Sequence, residues 1–346
     1  EARKGTSYNL DTTLAQVYLR LFDYKQALKF LRRAIENKPT HVRSYYYSGL
    51  AYWMLGDIAQ ALSQFSVALD NYRSHIPSIS LGMALSVANG GASFDLIQWY
   101  KERLDEIKPD SISSVEKGFI GIAYALYYHF MGNSDSAQTA YAAVPQINYP
   151  LLLSLRAQYL SLINDSETSV ALQRKAMQIE PENFFYKLLL AKILAKKKDT
   201  ADEAITLIDA ILAKDPEYDE SKFHKAIAFE KIGKQKQAVQ ILEELSKKFS
   251  FYVKGNLEIA RMYQAQKASD KALETLAKVL DGLQSQNAIG IDMANVLLQM
   301  GIAYEDQNMN VKALEAYESA VEITESIPEI LFRRGKILKQ LKMTPA

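Results

Sequence analysis

Residues 221–245 read SKFHKAIAFEKIGKQKQAVQILEEL. Ala226 precedes the aromatic Phe229 by three residues, and Ala238 follows nine residues after Phe229. The bulky Leu242 comes four residues after Ala238. Because offsets of three and four residues place side chains on one face of a helix, this stretch predicts two amphipathic helices. The glycine between them predicts the turn that joins the two helices.

The same triplet of a small residue, an aromatic residue and an alanine recurs along most of the chain. Three pairs of the second-helix alanines are 34 residues apart. A small residue on each helix lets the two backbones approach closely, and the aromatic side chain fills the space beside them. Because a single helix pair cannot bury both of its faces, the pairs are expected to stack. The six copies are Ala15-Tyr18-Ala27, Gly49-Tyr52-Ala61, Ala125-Tyr128-Ala137, Ala226-Phe229-Ala238, Ala260-Tyr263-Ala272 and Gly301-Tyr304-Ala313.

These repeats resemble the tetratricopeptide repeat family, in which each unit is a helix pair of about 34 residues. The resemblance covers nearly the whole chain and implies an all-α fold. The implied architecture is a right-handed α-α superhelical solenoid of about nine helix pairs, with an additional C-terminal helix and no sheet. Members of this family are binding scaffolds in unrelated processes, so the resemblance implies protein binding rather than catalysis.

The repeats divide the sequence into segments of different regularity. Two regular repeats are expected within residues 1–75, a degenerate repeat within 76–117, and six repeats within 118–327. An insertion near 281–292 predicts either longer helices or a small loop. Residues 328–346 match a first helix without a second one, which predicts a solvated cap or a truncated repeat.

The segment 76–117 departs furthest from the repeat pattern. Phe94 stands where the pattern has the second-helix alanine, and Gly90-Gly91 interrupts helix formation. We expect two helices in this segment, with altered packing. We also expect its amide hydrogens to exchange faster than those of residues 219–293.

The composition of the 346 residues disfavours several classes of function. Lys and Arg total 41 against 40 Asp and Glu, and this balance disfavours nucleic acid as a partner. The absence of cysteine excludes disulfides and thiolate metal sites, and it favours a bacterial envelope or periplasmic protein over a cytoplasmic one. The longest weakly charged stretch, residues 118–132, is too short to span a bilayer. The expected partner is a protein or peptide, which includes a second copy in a homo-oligomer.

No catalytic or cofactor-binding pattern stands out. The four histidines are too far apart in the sequence to form a zinc-binding pair on one helical turn. The sequence has no glycine-rich phosphate-binding loop and no nucleophile elbow. We therefore expect no enzyme activity, no cofactor and no metal.

A concave inner wall is the expected partner site, because the family resemblance places the first helix of each pair there. In the N-terminal half this wall is aromatic and apolar, and such residues anchor interfaces. The alternative is that the array closes tightly and buries these side chains within the chain. The expected partner-binding residues, called the inner-wall set, are Arg43, Tyr46, Tyr47, Leu50, Trp53, Phe119, Ile122, Leu126, His129 and Phe130.

The C-terminal half of the same wall is charged rather than aromatic. Exposed charges mainly steer encounter, so these residues are expected to orient a partner more than to hold it. This second group, called the charged set, consists of His224, Glu230, Lys231, Lys254, Glu258, Arg261 and Glu305.

Three hypotheses for function follow. The favoured one is a non-enzymatic scaffold that binds a peptide or a helix of a partner in its groove, within a larger bacterial assembly. The second is a structural subunit that self-associates through the segment 76–117, the insertion or the C-terminal helix. The third is an enzyme with its site in the irregular middle of the chain.

Overall fold

The computed structural model is built from α-helices, and the residues that it describes contain no β-strand. Nineteen α-helices, α1 to α19, follow one another along these residues. The all-α repeat fold expected from the sequence is confirmed. The structure describes residues 2–88, 94–108, 112–248, 253–285, 290–324 and 327–342, with side chains from residue 7 onward.

The helices are joined mostly by short turns. A single 3₁₀ turn at Lys198–Thr200 precedes α12. The helices of the N-terminal half are α1 (Ala2–Arg20), α2 (Tyr24–Asn37), α3 (Val42–Met54), α4 (Ile58–Asn71), α5 (Ile76–Ala88), α6 (Phe94–Asp105), α7 (Ser114–Phe130), α8 (Ser134–Ala142) and α9 (Pro150–Leu162). Those that follow are α10 (Ser166–Ile179), α11 (Phe184–Leu194), α12 (Ala201–Leu212), α13 (Asp219–Lys231), α14 (Gln235–Lys248), α15 (Val253–Ala265), α16 (Ser269–Ser285), α17 (Ile291–Asp306), α18 (Asn310–Ile323) and α19 (Pro328–Gln340).

The chain divides into two compact units. Unit 1 comprises residues 1–194 and 206–220, and it contains helices α1 to α11. Unit 2 comprises residues 195–205 and 221–346, and it contains helices α14 to α19. Within each unit, consecutive helices pack side by side around apolar residues.

In several helix pairs a glycine of the first helix packs directly against an aromatic ring of the second. In unit 1, Gly49 of α3 faces Phe65 of α4, and a Cβ on this glycine would lie 2.4 Å from the ring. In unit 2, Gly301 of α17 faces Tyr317 of α18, and the corresponding distance is 2.3 Å. The second-helix alanine four residues before each ring is fully buried. The small residues of the repeat thus permit the close approach that the sequence predicts.

The pair α5 and α6 keeps this contact in a shifted register. Gly82 of α5 packs against Tyr100 of α6, where a Cβ would lie 2.3 Å from the ring. The ring follows its glycine two residues later than in the pairs α3–α4 and α17–α18. Phe94, which the repeat pattern places at the packing position, is instead 51% exposed. Both expected helices are present, and Gly90-Gly91 lies outside the described residues.

The shift places a large residue where the regular repeat has a small one. In this register, Arg103 of α6 corresponds to the fully buried Ala68 of α4. The Arg103 guanidinium lies 3.3 Å from the centre of the Trp99 ring and donates to the Trp99 carbonyl at 3.1 Å. Because arginine needs more room than alanine, α6 cannot approach the next repeat as α4 does. Accordingly, of the two helices in the preceding pair, α7 packs against α5 far more than against α6.

The insertion near 281–292 lengthens two helices. α16 has 17 residues and α17 has 16, whereas α14 and α18 have 14 each. Longer helices were one of the two outcomes that the sequence left open. Residues 286–289 lie outside the described part of the chain.

Replacing Ala238 with leucine is expected to destabilise unit 2 by about 1–3 kcal/mol, because overpacking a filled core forces strain. Ala238 is fully buried among Phe223, Leu242 and Leu245. Urea unfolding followed by circular dichroism measures the change. The neighbouring Gln237→Leu is the control, since Gln237 is exposed on the same helix. Equal midpoints for the two variants would contradict the repeat register.

Candidate functional site

Half of the inner-wall set is closed off from solvent. These members have exposed fractions between 0% and 7%. At these positions the side chains are not accessible as the open-wall expectation requires, and the partner-binding role of the set stays a prediction. The five buried residues are Leu50, Trp53, Phe119, Ile122 and Leu126.

Helix α11 and the segment around Tyr218 pack against α3 and cover its part of the inner wall. The indole of Trp53 meets the ring of Phe185 edge to face, with ring centres 4.7 Å apart. The hydroxyl of Tyr218 donates a hydrogen bond to the carbonyl of Met54. Because these partners are far apart in the sequence, only tertiary packing brings them together.

The remaining members of the inner-wall set are more accessible. Tyr46, Tyr47, His129 and Phe130 are half-buried, and Arg43 is exposed. The rings of Tyr46 and Tyr47 lie 5.1 Å apart. Burial, followed by the neighbouring tyrosines, raises the pKa of Tyr46 well above its ordinary value, so this hydroxyl stays protonated.

A histidine with a lowered pKa lies beside this wall. The ring of His75 meets that of Tyr46 edge to face at 5.2 Å, and its Nδ1 lies 2.8 Å from Ser78 Oγ. Burial, followed by the positive charge of Arg43, lowers the pKa of His75 from 6.5 to about 4, against an opposing effect of Glu116. His75 is therefore neutral in the folded protein at mildly acidic pH.

Unit 1 is expected to lose stability as the pH falls from 6.5 towards 4. In this window the unfolded chain binds a proton at His75 while the folded chain resists it, so acid favours unfolding. The loss from this residue amounts to about 3 kcal/mol at most. Urea unfolding at about pH 7 and about pH 4.5 measures it. His75→Gln should show a weaker pH dependence than the wild type, and an unchanged dependence would rule out this role.

The charged set of unit 2 is largely paired within itself. Glu230 forms ion pairs with Arg261 at 3.3 Å and with Lys231 at 2.9 Å. Arg261 also pairs with Glu258 at 2.7 Å. Burial alone would raise the pKa of Glu230, but the hydrogen bonds from Lys231 and Arg261 outweigh it and lower that pKa. Much of the charge in this cluster is therefore compensated.

Glu305 belongs to a second cluster in unit 2. It accepts a hydrogen bond from the Tyr317 hydroxyl at 2.5 Å. It also forms ion pairs with Arg333 at 3.2 Å and Lys336 at 3.0 Å, both on α19. Burial would raise the pKa of Glu305, but these three donors outweigh burial and lower it.

The other two members of the charged set pack against one ring. His224 is 8% exposed, and its ring centre lies 5.1 Å from that of Phe223. The ammonium of Lys254 lies 4.0 Å from the centre of the Phe223 ring. The charged set is thus held in place by contacts inside unit 2, and its steering of a partner stays a prediction.

An open cavity of about 550 Å³ lies between α7 and α8 of unit 1. Five residues of α7 form one side of this α7–α8 cavity. The rings of Tyr124 and Tyr128 are stacked, with centres 6.2 Å apart. The side chains used below are Lys117, Ile120, Tyr124 and Tyr128 from α7, with Asp135 and Thr139 from α8.

Polar contacts fix the tyrosine side of the α7–α8 cavity. The Tyr124 hydroxyl donates to Asp105 Oδ1 at 2.8 Å, and Lys101 pairs with Asp105 at 2.6 Å. Burial, followed by the hydrogen bond to Asp105, raises the pKa of Tyr124, so the phenol remains a donor. Lys117 and Asp135 are exposed and place opposite charges at the cavity. The cavity therefore combines aromatic surface with a charge of each sign.

The register shift of α6 accounts for this cavity. Helix α4 packs against α5 of the next repeat, whereas α6 makes little contact with α7. Tyr124 still contacts Asp105 and Lys101 at the end of α6, but the rings of Tyr124 and Tyr128 stay only half-buried. The inner-wall prediction missed these tyrosines because the repeat pattern assigns Tyr128 to the packing between helices and gives Tyr124 no role. The displaced Phe94 was the sequence signal that could have indicated an uncovered neighbour.

Two kinds of site do not occur in the part of the chain that the structure describes. No helix there is both long and apolar enough to cross a membrane. Across the same residues, no group of three or more His, Cys, Asp or Glu side chains could hold a metal ion.

Family models match two parts of the chain. A tetratricopeptide repeat model matches residues 12–76, and a second tetratricopeptide repeat model matches residues 220–251. The first match spans α2 to α4, and the second covers most of α13 and all of α14. Among curated proteins, no sequence matches this chain.

Solved structures that resemble this chain include proteins from yeast, human and a bacterium. Yeast Tom70 is 14% identical, with 97% of this chain and 82% of that chain covered and a TM-score of 0.55. A human IFIT1 dimer with m7Gppp-AAAA is 16% identical, with coverages of 97% and 82% and a TM-score of 0.54. A tetratricopeptide repeat protein from Parabacteroides merdae is 12% identical, with coverages of 96% and 99% and a TM-score of 0.45. At these identities, the likeness to Tom70 and IFIT1 shows the fold alone.

Proposed function

We propose that this chain, which belongs to the tetratricopeptide repeat family, is a non-enzymatic scaffold that binds a peptide or a helix of a partner protein. The two repeat matches support a protein-interaction scaffold in general. The partner belongs to a larger bacterial assembly, and the absence of cysteine supports an oxidising bacterial compartment as its setting.

The α7–α8 cavity is the observation that carries this proposal. A cavity of about 550 Å³ is large enough to accept several side chains of a partner segment. The stacked rings of Tyr124 and Tyr128 supply the aromatic contact surface on which interface energy concentrates. Lys117 and Asp135 can orient a segment that carries charges of both signs.

The accessible inner-wall residues are a second candidate contact region in unit 1. Arg43 is exposed and Tyr47 is half-buried, so a partner can reach both without unfolding the repeat. The buried members of the set act differently in this proposal. They hold the closed wall of unit 1 together and contribute to binding only by keeping the unit folded.

The test uses a cavity-filling variant and a matched control on the same helix. Thr139→Trp places a large side chain in the α7–α8 cavity, whereas Gln138→Trp places one on the neighbouring exposed position outside its lining. The wild-type protein first captures its partner from the native organism, and mass spectrometry identifies it. The purified partner is then titrated against each variant by calorimetry, with circular dichroism as the check on folding.

The expected result is a loss of affinity of about tenfold or more for Thr139→Trp and for Tyr128→Ala. Gln138→Trp should bind as the wild type does. Equal affinity for all three variants would show that the cavity is not the site. A loss confined to Tyr47→Ala would move the site to the inner wall.

A further inference from the structure

One end of the α7–α8 cavity lies at the turn that joins the two helices. Tyr128 is near the end of α7, Asp135 is in the first turn of α8, and both side chains line the cavity. Hydrogen bonds fix the backbone between them. The Asn133 amide donates to the Tyr128 carbonyl at 2.9 Å, and the Asn133 side chain accepts from the Ser136 amide at 3.1 Å. A ligand at this end of the cavity therefore meets an aromatic ring and a carboxylate on a fixed turn.

The carboxylate of Asp135 is not compensated by another charge. It is exposed and has no ion-pair or hydrogen-bond partner among the residues that the structure describes. Lys117, the basic residue of the cavity lining, precedes Tyr128 on α7 by three helical turns, which is about 16 Å along the helix axis. Over such a distance, salt screens the interaction of exposed charges. The turn end of the cavity is therefore negatively charged.

The neighbouring tyrosine already holds a cation between a ring and a carboxylate. The ammonium of Lys101 lies 5.7 Å from the centre of the Tyr124 ring and pairs with Asp105 at 2.6 Å. A cation in such a place is attracted by both the ring and the carboxylate. The ring of Tyr128 is stacked beside that of Tyr124, but no cation of the described residues lies over it. Tyr128 and Asp135 thus provide the ring and the carboxylate of the same arrangement without its cation.

Arginine fits this end of the cavity better than lysine. Its planar guanidinium can lie on the Tyr128 ring while two N–H groups donate to the two oxygens of Asp135. A lysine ammonium is a strongly hydrated point charge and lacks this geometry. The chain contains one such stack, since the Arg103 guanidinium lies 3.3 Å from the centre of the Trp99 ring.

We propose that Tyr128 and Asp135, called the arginine subsite, bind an arginine side chain. The inference rests on the proposed function of the α7–α8 cavity, in which the partner protein supplies this arginine. It adds the residue that the partner segment must carry. At the other end of the cavity, Lys117 pairs with an acidic residue of the same segment, so the two charges set the direction in which the segment lies.

The first test uses three small probes on the full chain. Acetyl-argininamide carries the guanidinium, acetyl-citrullinamide replaces it with a neutral group of the same shape, and acetyl-lysinamide carries an ammonium. Saturation-transfer NMR measures the dissociation constant of each probe. The arginine probe is expected to bind most tightly, because it alone combines the positive charge with the planar shape.

Matched variants assign the binding to the arginine subsite. Asp135→Asn removes the charge, and Tyr128→Leu removes the ring but keeps an apolar side chain. Glu167→Gln is the control, because Glu167 is the exposed second residue of α10 as Asp135 is of α8. Lys117→Gln removes the charge at the other end of the cavity. Circular dichroism confirms that each variant is folded.

Asp135→Asn and Tyr128→Leu should each weaken binding of the arginine probe by about threefold or more. Glu167→Gln and Lys117→Gln should bind it at least as tightly as the wild type does. Equal binding of the arginine and citrulline probes would overturn the proposal, and so would equal or tighter binding of the lysine probe. Unchanged binding to Asp135→Asn would overturn it as well.

The purified partner separates this inference from the proposed function. Asp135→Asn should weaken partner binding by about threefold or more. If Thr139→Trp weakens partner binding but Asp135→Asn does not, the inference is wrong and the proposed function stands. If neither variant affects the partner while the arginine probe binds as expected, the proposed function fails and the arginine subsite is supported. A wild-type dimer that Asp135→Asn converts to a monomer would overturn the partner protein as the source of the arginine, since a second copy would then supply it.

Discussion

Trp53→Ala should destabilise unit 1 by about 3–5 kcal/mol, the cost of deleting a large buried aromatic side chain. Trp53 is 5% exposed and packs edge to face on Phe185 of α11. Loss of the indole would therefore leave a void between α3 and α11, and the surrounding helices could close it only in part. Urea unfolding followed by circular dichroism gives the free energy, and hydrogen exchange measured on peptides of α3 and α11 assigns the loss to unit 1.

The control for this prediction is Tyr72→Ala. Tyr72 is 55% exposed at the end of α4, so its replacement should change stability by less than about 0.5 kcal/mol. If Trp53→Ala unfolds no more readily than this control while partner binding falls, then Trp53 is a contact residue and the wall is open. Tyr47→Ala is the better test of partner contact, because Tyr47 is only half-buried.

Two glycines at the same repeat position should respond to alanine with opposite signs. Gly301→Ala is expected to destabilise unit 2 by about 1–3 kcal/mol, because the new Cβ would meet the Tyr317 ring at 2.3 Å. That ring cannot move freely, since it is fully buried and its hydroxyl is bound to Glu305. The strain therefore exceeds the gain of about 1 kcal/mol that alanine brings over glycine within a helix.

Gly335→Ala is expected to stabilise unit 2 by about 0.5–1 kcal/mol. No described atom lies within 4 Å of the new Cβ, so only the helix preference of alanine remains. Thermal unfolding of both variants beside the wild type measures the two changes. If Gly335→Ala were as destabilising as Gly301→Ala, another group would pack on Gly335.

Local sequence patterns were sufficient to predict the helix pairs. The close approach at Gly49 and at Gly301 follows from the small residues and rings of the repeat, because both partners lie within one 34-residue unit. The same pattern identified Phe94 as a departure. It could not show that α6 shifts its register by two residues, because Tyr100 matches no position of the regular pattern.

The location and exposure of the candidate sites depend on contacts between residues of different repeats, which no repeat pattern contains. Trp53 and Leu126 satisfy the description of an inner wall equally well in an open or a closed array. Trp53 is buried because it packs on Phe185, which lies more than 100 residues away in the sequence. The α7–α8 cavity arises in the same way, from a helix that stands away from its neighbour.

The sequence by itself determined the all-α class, the helix pairs and the positions at which their backbones approach, because these depend on side chains spaced within a single repeat. Tertiary structure alone decided which wall residues are buried, where an aromatic cavity opens and that no described atom packs on Gly335. The physical reason is that burial depends on how neighbouring repeats are displaced relative to one another. A shift of two residues in α6 or the packing of α11 on α3 changes the exposure of a side chain without changing its own periodicity.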